Sequence, residues 1–260
     1  NRYFDCYIEY AKDEINDILM KVTVYNRGPE AAAIHVLPHC WFRNFWKHNP
    51  RFTKPEIISV AADCLQTNSA RNGSFFLYHQ GGEQLFCDNE TNNQRMYHRP
   101  NDSPFVKDGI NNYVIHQQQT VNPKKQGTKS AIWLKEKIQP GASATFKVRL
   151  SKNKLEDPWA RFDEIFTMRL SDTNQYYQQL TPKKLSLPHK ALLRSSLSGL
   201  QWTKQFYYLD VFKWLFGEPG ETAPNRNHKR NYDWQHLTCR NIISMPDKWE
   251  YPWFAAWDLA

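Results

Sequence analysis

Ile18-Leu-Met-Lys-Val-Thr-Val-Tyr25, closed by Asn26-Arg-Gly-Pro29, decides how the first part of this chain folds. β-Branched and aromatic side chains suit a pleated, half-buried surface, and the Asn-Arg-Gly-Pro run supplies turn chemistry where the strand must stop. Upstream, Phe4, Cys6, Ile8 and Tyr10 alternate with Asp5, Tyr7 and Glu9, the two-residue period of a sheet with unequal faces. Further short strands are expected at 34–37, 57–62, 74–79, 113–116, 131–134 and 144–150. Gly, Pro or Asn clusters such as Gly81-Gly82, Asn122-Pro123 and Pro140-Gly141 separate most of them. Many short strands with turns between them predict an antiparallel β-sandwich over residues 1–150.

The period changes after Ser151. Asp157-Pro158 is a helix start, since Asp caps free N–H groups and Pro is tolerated in the first turn. Phe162, Ile165, Phe166 and Leu170 then recur at helical spacing, and Thr181-Pro182 ends the run. This gives a helical linker over 151–185. A second helix is predicted from Ser186-Leu-Pro188, its face marked by Leu193, Leu197, Leu200, Tyr207, Val211 and Leu215, with Gly217 and Pro219 as its stop. Residues 218 to about 248 read as a long polar loop, and a third helix is expected near Trp253, after Pro252. Strands followed by helices, rather than alternating with them, imply two segregated units.

Composition narrows the function classes. The 260 residues are 40% hydrophobic and 23% charged, which is globular, and the ten Trp within a 15% aromatic content fit packing or a stacking surface. No apolar run reaches the roughly 20 residues that span a bilayer, so no membrane partner is expected. The net charge is +8, but basic residues are dispersed, with short clusters only at Lys124-Lys125, Lys183-Lys184 and His228-Lys229-Arg230. Nucleic acid is therefore not the expected partner. Five scattered cysteines, without a CxxC pair, read as reduced thiols and point to the cytoplasm. His228 and His236 lack a matching ligand set, so neither a metal nor another cofactor is expected.

Chemistry concentrates in Lys248-Trp-Glu-Tyr-Pro-Trp-Phe-Ala-Ala-Trp-Asp258. Asp258 stands among Phe254, Ala255, Ala256, Trp257 and Leu259, surroundings that raise a carboxyl pKa and suit a proton donor. The same residue also fits the first turn of a helix, where it would complement the dipole. Trp249, Trp253 and Trp257 recur every four residues and serve either as core or as a platform for sugar rings. Asp88-Asn-Glu-Thr-Asn-Asn93 does not match a calcium loop and reads as a solvated turn. Trp41-Phe-Arg-Asn-Phe-Trp46 reads as a buried strand end rather than a sugar-contacting edge.

The run from Ile243 to Ala260 resembles the bacterial glucosidase-like members of glycoside hydrolase family 63. The resemblance continues through Gly199-Leu-Gln-Trp-Thr-Lys-Gln-Phe-Tyr-Tyr-Leu-Asp210, Ser103-Pro-Phe-Val-Lys-Asp108, Asp88-Asn-Glu-Thr-Asn92, Trp41-Phe-Arg-Asn44 and Asn26-Arg-Gly-Pro-Glu30. It implies a supersandwich-like β-sandwich followed by an (α/α)6 barrel, with residues 186–260 as the first part of that catalytic barrel. It also implies hydrolysis of α-glycosidic bonds by inversion, foremost as an α-glucosidase, with an oligosaccharide or glucoside as substrate. Asp258 would be the general acid and Trp253 would line the glycone subsite, with Trp249, Tyr251 and Trp257 as further substrate contacts. The family's general base is a glutamate late in the barrel, which places it beyond Ala260 and makes this chain an internal fragment, inactive alone. A carbohydrate-binding, non-catalytic protein is the alternative.

Overall fold

The structure, a computed structural model, describes residues 1–47, 51–217 and 232–244. The chain divides into two units, Asn1–Ser171 and Asp172–Ala260. An N-terminal region rich in antiparallel β-sheet is followed by a region in which α-helix predominates.

In the first unit, β1 (Phe4–Glu14) and β2 (Asp17–Asn26) form a hairpin at one edge of a seven-stranded antiparallel sheet. The other members are β5 (Glu56–Ala61), β6 (Cys64–Ser69), β7 (Gly73–His79), β9 (Gln126–Gly127) and β11 (Ser143–Ser151), in the order β1-β2-β11-β7-β6-β5-β9. A second, four-stranded sheet is built on β10 (Lys129–Ile138), which pairs with β3 (Ala32–Val36), β4 (His39–Trp41) and β8 (Glu83–Cys87). Val22 and Val24 of β2, Leu65, Leu77, Phe146 and Val148 meet Phe86, Ile132, Leu134 and Ile138 of the second sheet in one core. These residues sit two apart along most of their strands, so the pleat directs them to the same face.

The Asn26-Arg-Gly-Pro29 signal does form a turn, and Asn26 does more than end a strand. Its side-chain oxygen accepts from the Gly28 N–H (2.9 Å), while its Nδ2 donates to the carbonyls of Glu30 (2.7 Å) and Ile138 (2.9 Å). The buried amide thus joins β2 of one sheet to the end of β10 in the other, with its polar groups satisfied.

Helices cover the outer faces. Leu85, Cys87, Ala131 and Trp133 pack against Ile110 and Tyr113 of α2 (Gly109–His116). The expected strand at 113–116 is therefore helical. Ile110, Tyr113 and Val114 lie at i, i+3 and i+4, and that spacing puts all three on the packed side of a helix. Gln117, in the left-handed region at φ 56°, ends it. On the opposite side, Phe162 and Ile165 of α3 (Phe162–Leu180) cover Ala11 and Leu19. Asp157 accepts from the Trp159 N–H (2.9 Å), so it caps the turn that leads into α3.

Arg149 of β11 fixes the end of the β1–β2 hairpin. Its guanidinium grips Asp17 through two bonds, Nε to Oδ1 at 2.9 Å and Nη2 to Oδ2 at 2.8 Å. It also donates to Asp13 (3.0 Å) and to the Pro158 carbonyl (3.0 Å). Arg149 and Asp17 are both buried.

In the second unit, α4 (Leu187–Trp202) follows Ser186, as predicted, and contacts the last turns of α3. Arg194 donates to Asn174 (2.7 Å) and Ser198 to the Tyr177 hydroxyl (2.7 Å). The helix expected to continue to Leu215 is interrupted. Lys204–Asp210 forms β12, paired with β13 (Thr238–Ser244), and Val211–Phe216 forms the short α5. Phe206, Tyr207 and Tyr208 are better accommodated in a strand than a helix, and their exposure alternates as a strand requires. β13 also places regular structure inside the stretch expected to be loop. Among the described residues, no helix is long and apolar enough to cross a membrane.

Candidate functional site

The site grows from the register of the four-stranded sheet. Lys129, at the start of β10, is paired with Trp41 on one side and Cys87 on the other. Segments 42–47 and 88–92 therefore leave the same end of the sheet side by side, although Asn44 and Asn89 are 45 residues apart in sequence. The Asn89 amide donates to the Phe42 carbonyl (2.8 Å), and the Asn44 amide to the Asn89 carbonyl (3.2 Å). The Asn89 N–H reaches the Thr128 hydroxyl (2.7 Å).

A third segment joins them. The Asp88 N–H donates to the Phe105 carbonyl (2.7 Å) and the Lys107 N–H to the Glu90 carbonyl (3.0 Å). Asn92 caps α1 (Asn93–Tyr97) through the Arg95 N–H, and its amide spans both oxygens of Asp108 (3.1 and 3.2 Å). Trp41–Asn44, Asp88–Asn92 and Ser103–Asp108, three of the motifs on which the resemblance rests, converge on one end of one sheet.

Asp88–Asn93 is consequently not a solvated turn. Glu90 is only 5% exposed. Its carboxylate meets Lys47 at 2.9 Å and Lys54 at 3.6 Å, and Lys54 also reaches Asp88 at 3.1 Å. Lys47 bridges further to Asp102, and the hydrogen bond to Asp102, reinforced by Glu90, raises its ammonium pKa above the ordinary value. A carboxylate this buried persists only when paired. The pairing pins Lys47, which follows Trp46, and Lys54, which lies two residues after Phe52, to the same anchor.

Above this knot, a cleft of about 560 Å³ opens between residues 41–46 and 51–55 on one side and the tip of the β6–β7 hairpin at 69–72 on the other. Trp41 is 53% exposed and Phe45 37%, so Trp41–Trp46 is not a buried strand end. The pleat explains the difference. Cys40 and Phe42 turn into the core, leaving Trp41, Arg43 and Phe45 on the outer side. Phe45 and Phe52 lie with ring centroids 5.4 Å apart, and the Arg43 guanidinium sits 4.9 Å from the Phe45 ring centre. Arg51 and Arg71 add positive charge, and among the described residues no carboxylate lines the cleft.

A second cleft of about 420 Å³ meets the first at Pro55 and is polar, with Lys54, Glu56, Asp88 and Asn122 in its walls. Aromatic faces beside hydroxyl, amide and charged groups form a surface able to stack a ring and hydrogen-bond its substituents. Among the described residues, no cluster of three or more His, Cys, Asp or Glu side chains is placed to hold a metal.

Asp258, Trp249, Tyr251, Trp253 and Trp257 all lie outside the described residues. Of the nearby motif Gly199–Asp210, Asp210 caps α5 through the Lys213 N–H (3.1 Å) and accepts from the Tyr208 hydroxyl (3.1 Å). Sequence reasoning missed Glu90, Lys47, Lys54, Phe52 and Arg71 as partners. No local spacing links them, because strand register alone brings them together.

No family model matches the chain. An uncharacterized protein of Saccharomyces cerevisiae, YMR196W, is 31% identical to it over 308 aligned residues. That alignment takes in all of this chain but 28% of the yeast protein, so the chain spans little more than a quarter of the relative's length.

Proposed function

We propose that this chain belongs to an inverting glycoside hydrolase acting on α-glycosidic bonds, foremost an α-glucosidase, in the cytoplasm. The run Ile243–Ala260, with its Trp-Asp pair at 257–258, carries the reading through its resemblance to glycoside hydrolase family 63. The convergence of Trp41–Asn44, Asp88–Asn92 and Ser103–Asp108 beside an aromatic cleft supports it, since carbohydrate-handling surfaces pair ring faces with polar groups. In this reading the two sheets are the sandwich, and the helices after it open an (α/α)6 barrel.

Asp258, protonated, donates its proton to the leaving glycosidic oxygen. A glutamate outside these 260 residues deprotonates water on the opposite face of the sugar, across the roughly 6.5–9.5 Å carboxylate gap that inversion needs. Trp253 lines the glycone subsite, with Trp249, Tyr251 and Trp257 around it. Replacement Asp258→Asn in the intact protein is expected to lower kcat by about 10²–10⁴-fold. Near-normal turnover in that variant would remove Asp258 from the mechanism.

A non-catalytic carbohydrate-binding role is the second reading. It is favoured by the cleft lined by Trp41 and Asn72, which offers aromatic faces and, among the described residues, no carboxylate to act as acid or base. Turnover of any of a panel of α-glucosides and mannosylglycerate by the intact protein decides for the enzyme.

A further inference from the structure

We propose that the cleft lined by residues 41–46, 51–55 and 69–72 binds a saccharide carrying an anionic substituent, a phosphate or a carboxylate. The saccharide part rests on the carbohydrate-active reading above; the anionic part rests on charge. Arg43, Arg51 and Arg71 all line the cleft, and among the described residues no Asp or Glu does. Arg43 stacks on Phe45, and neither it nor Arg71 has a carboxylate within ion-pair distance among the described residues. The adjoining cleft differs sharply, because there Lys54 is neutralised by Asp88 and Glu90. Unneutralised guanidinium groups facing one concavity select an anion, and their planar forks match phosphate or carboxylate oxygens.

The remaining walls specify a ring with hydroxyls. Trp41, Phe45 and Phe52 present exposed faces, while Thr53, Ser69 and Asn72 supply hydroxyl and amide groups. The site is built rather than incidental. Ser69 Oγ accepts from the Arg71 and Asn72 N–H groups (3.2 and 3.4 Å), fixing the hairpin tip that carries Arg71. Opposite it, the Lys47–Glu90–Lys54 pairing holds the aromatic segment. A volume of about 560 Å³ falls within the range of roughly 300–1,000 Å³ typical of small-ligand sites.

Isothermal titration of the full chain with glucose 6-phosphate, glucose, inorganic phosphate and adenosine monophosphate tests this. Saturable binding of glucose 6-phosphate is expected, with glucose and phosphate each about tenfold weaker or more. The Arg43→Gln, Arg71→Gln double variant should weaken glucose 6-phosphate by about tenfold or more and leave glucose nearly unchanged. Trp41→Ala should weaken both sugars, and all variants should melt as the parent does, since these side chains are exposed. No binding of glucose 6-phosphate at millimolar concentration, equal binding by the variants, or tighter binding of adenosine monophosphate would each overturn the proposal. Asp258→Asn separates the two readings. Cleft affinity without turnover in the intact parent sinks the hydrolase alone, and turnover lost in Asp258→Asn without cleft affinity in the parent sinks the cleft alone.

Discussion

Replacing Arg149 with Met tests what holds the β-rich unit together. Met keeps most of the buried stem and removes the guanidinium, leaving Asp17 without either of the two bonds it accepts from Arg149, at 2.8 and 2.9 Å. Asp13 and the Pro158 carbonyl each lose a donor at 3.0 Å. Burial by itself lowers the Arg149 pKa, yet Asp17 and Asp13 outweigh it and hold the guanidinium above its ordinary value. Removing one partner of such a buried pair costs about 3–5 kcal/mol. At roughly 2–4 °C per kcal/mol for a unit of this size, the melting temperature should fall by about 6–20 °C. Urea unfolding followed by amide exchange in β2 and β11 reads the first unit specifically. The Asp17→Asn, Arg149→Met double variant should recover part of the loss, because no uncompensated charge remains buried. A loss below about 1 kcal/mol in Arg149→Met would refute the reasoning, since that is the worth of an exposed pair.

His79 is 1% exposed, with Nδ1 on the Gly81 carbonyl (2.7 Å) and Nε2 facing the Gln84 amide (3.0 Å), an arrangement that suits the neutral ring. Burial lowers its pKa from 6.5, so the unfolded chain takes up the proton first and stability is intact above about pH 6.5. Below that, stability should fall as pH drops toward the lowered pKa, by no more than roughly 1.4 kcal/mol per pH unit, until the ring is protonated in both states. Urea midpoints at pH 8, 7, 6 and 5.5 check this, and an equally steep fall in His79→Gln would sink it. At Gly127, an added Cβ would lie 2.3 Å from the Cys87 carbonyl oxygen, a backbone atom that cannot step aside. Gly127→Ala should cost about 1–3 kcal/mol. It should also expose the Cys87 thiol, now pushed up to about 12 by burial, to disulfide reagents at pH 8; an unreactive Cys87 and an unchanged melt would count against that contact.

Local pattern carried the β-rich half because each strand states its own alternation. Ile18–Tyr25 and Ala144–Leu150 are readable alone, and both are strands. Tyr113–His116 misled because four residues cannot distinguish a strand from one turn of helix, and the decisive neighbour, Ile110, lay outside the window. Lys204–Asp210 was hidden by apolar residues that also fit helical spacing, whereas its partner lies 28 or more residues away. Glu90 looked like a loop acid because nothing near it in sequence announces Lys47 or Lys54. The aromatic edge at Trp41 was misread for a related reason: periodicity reports that alternate residues differ, not which set faces inward.

The position of β11 between β2 and β7 has a consequence for synthesis. As the chain leaves the ribosome, β2 and β5 through β7 are complete long before residues 143–151 appear. Until then β2 and β7 each present an unpaired edge to the cell, and no single sheet joins them. Such open edges are templates for wrong pairing with other chains. The β11 segment is thus a closing strand, and the interval before its arrival is when mispairing at these edges would be easiest.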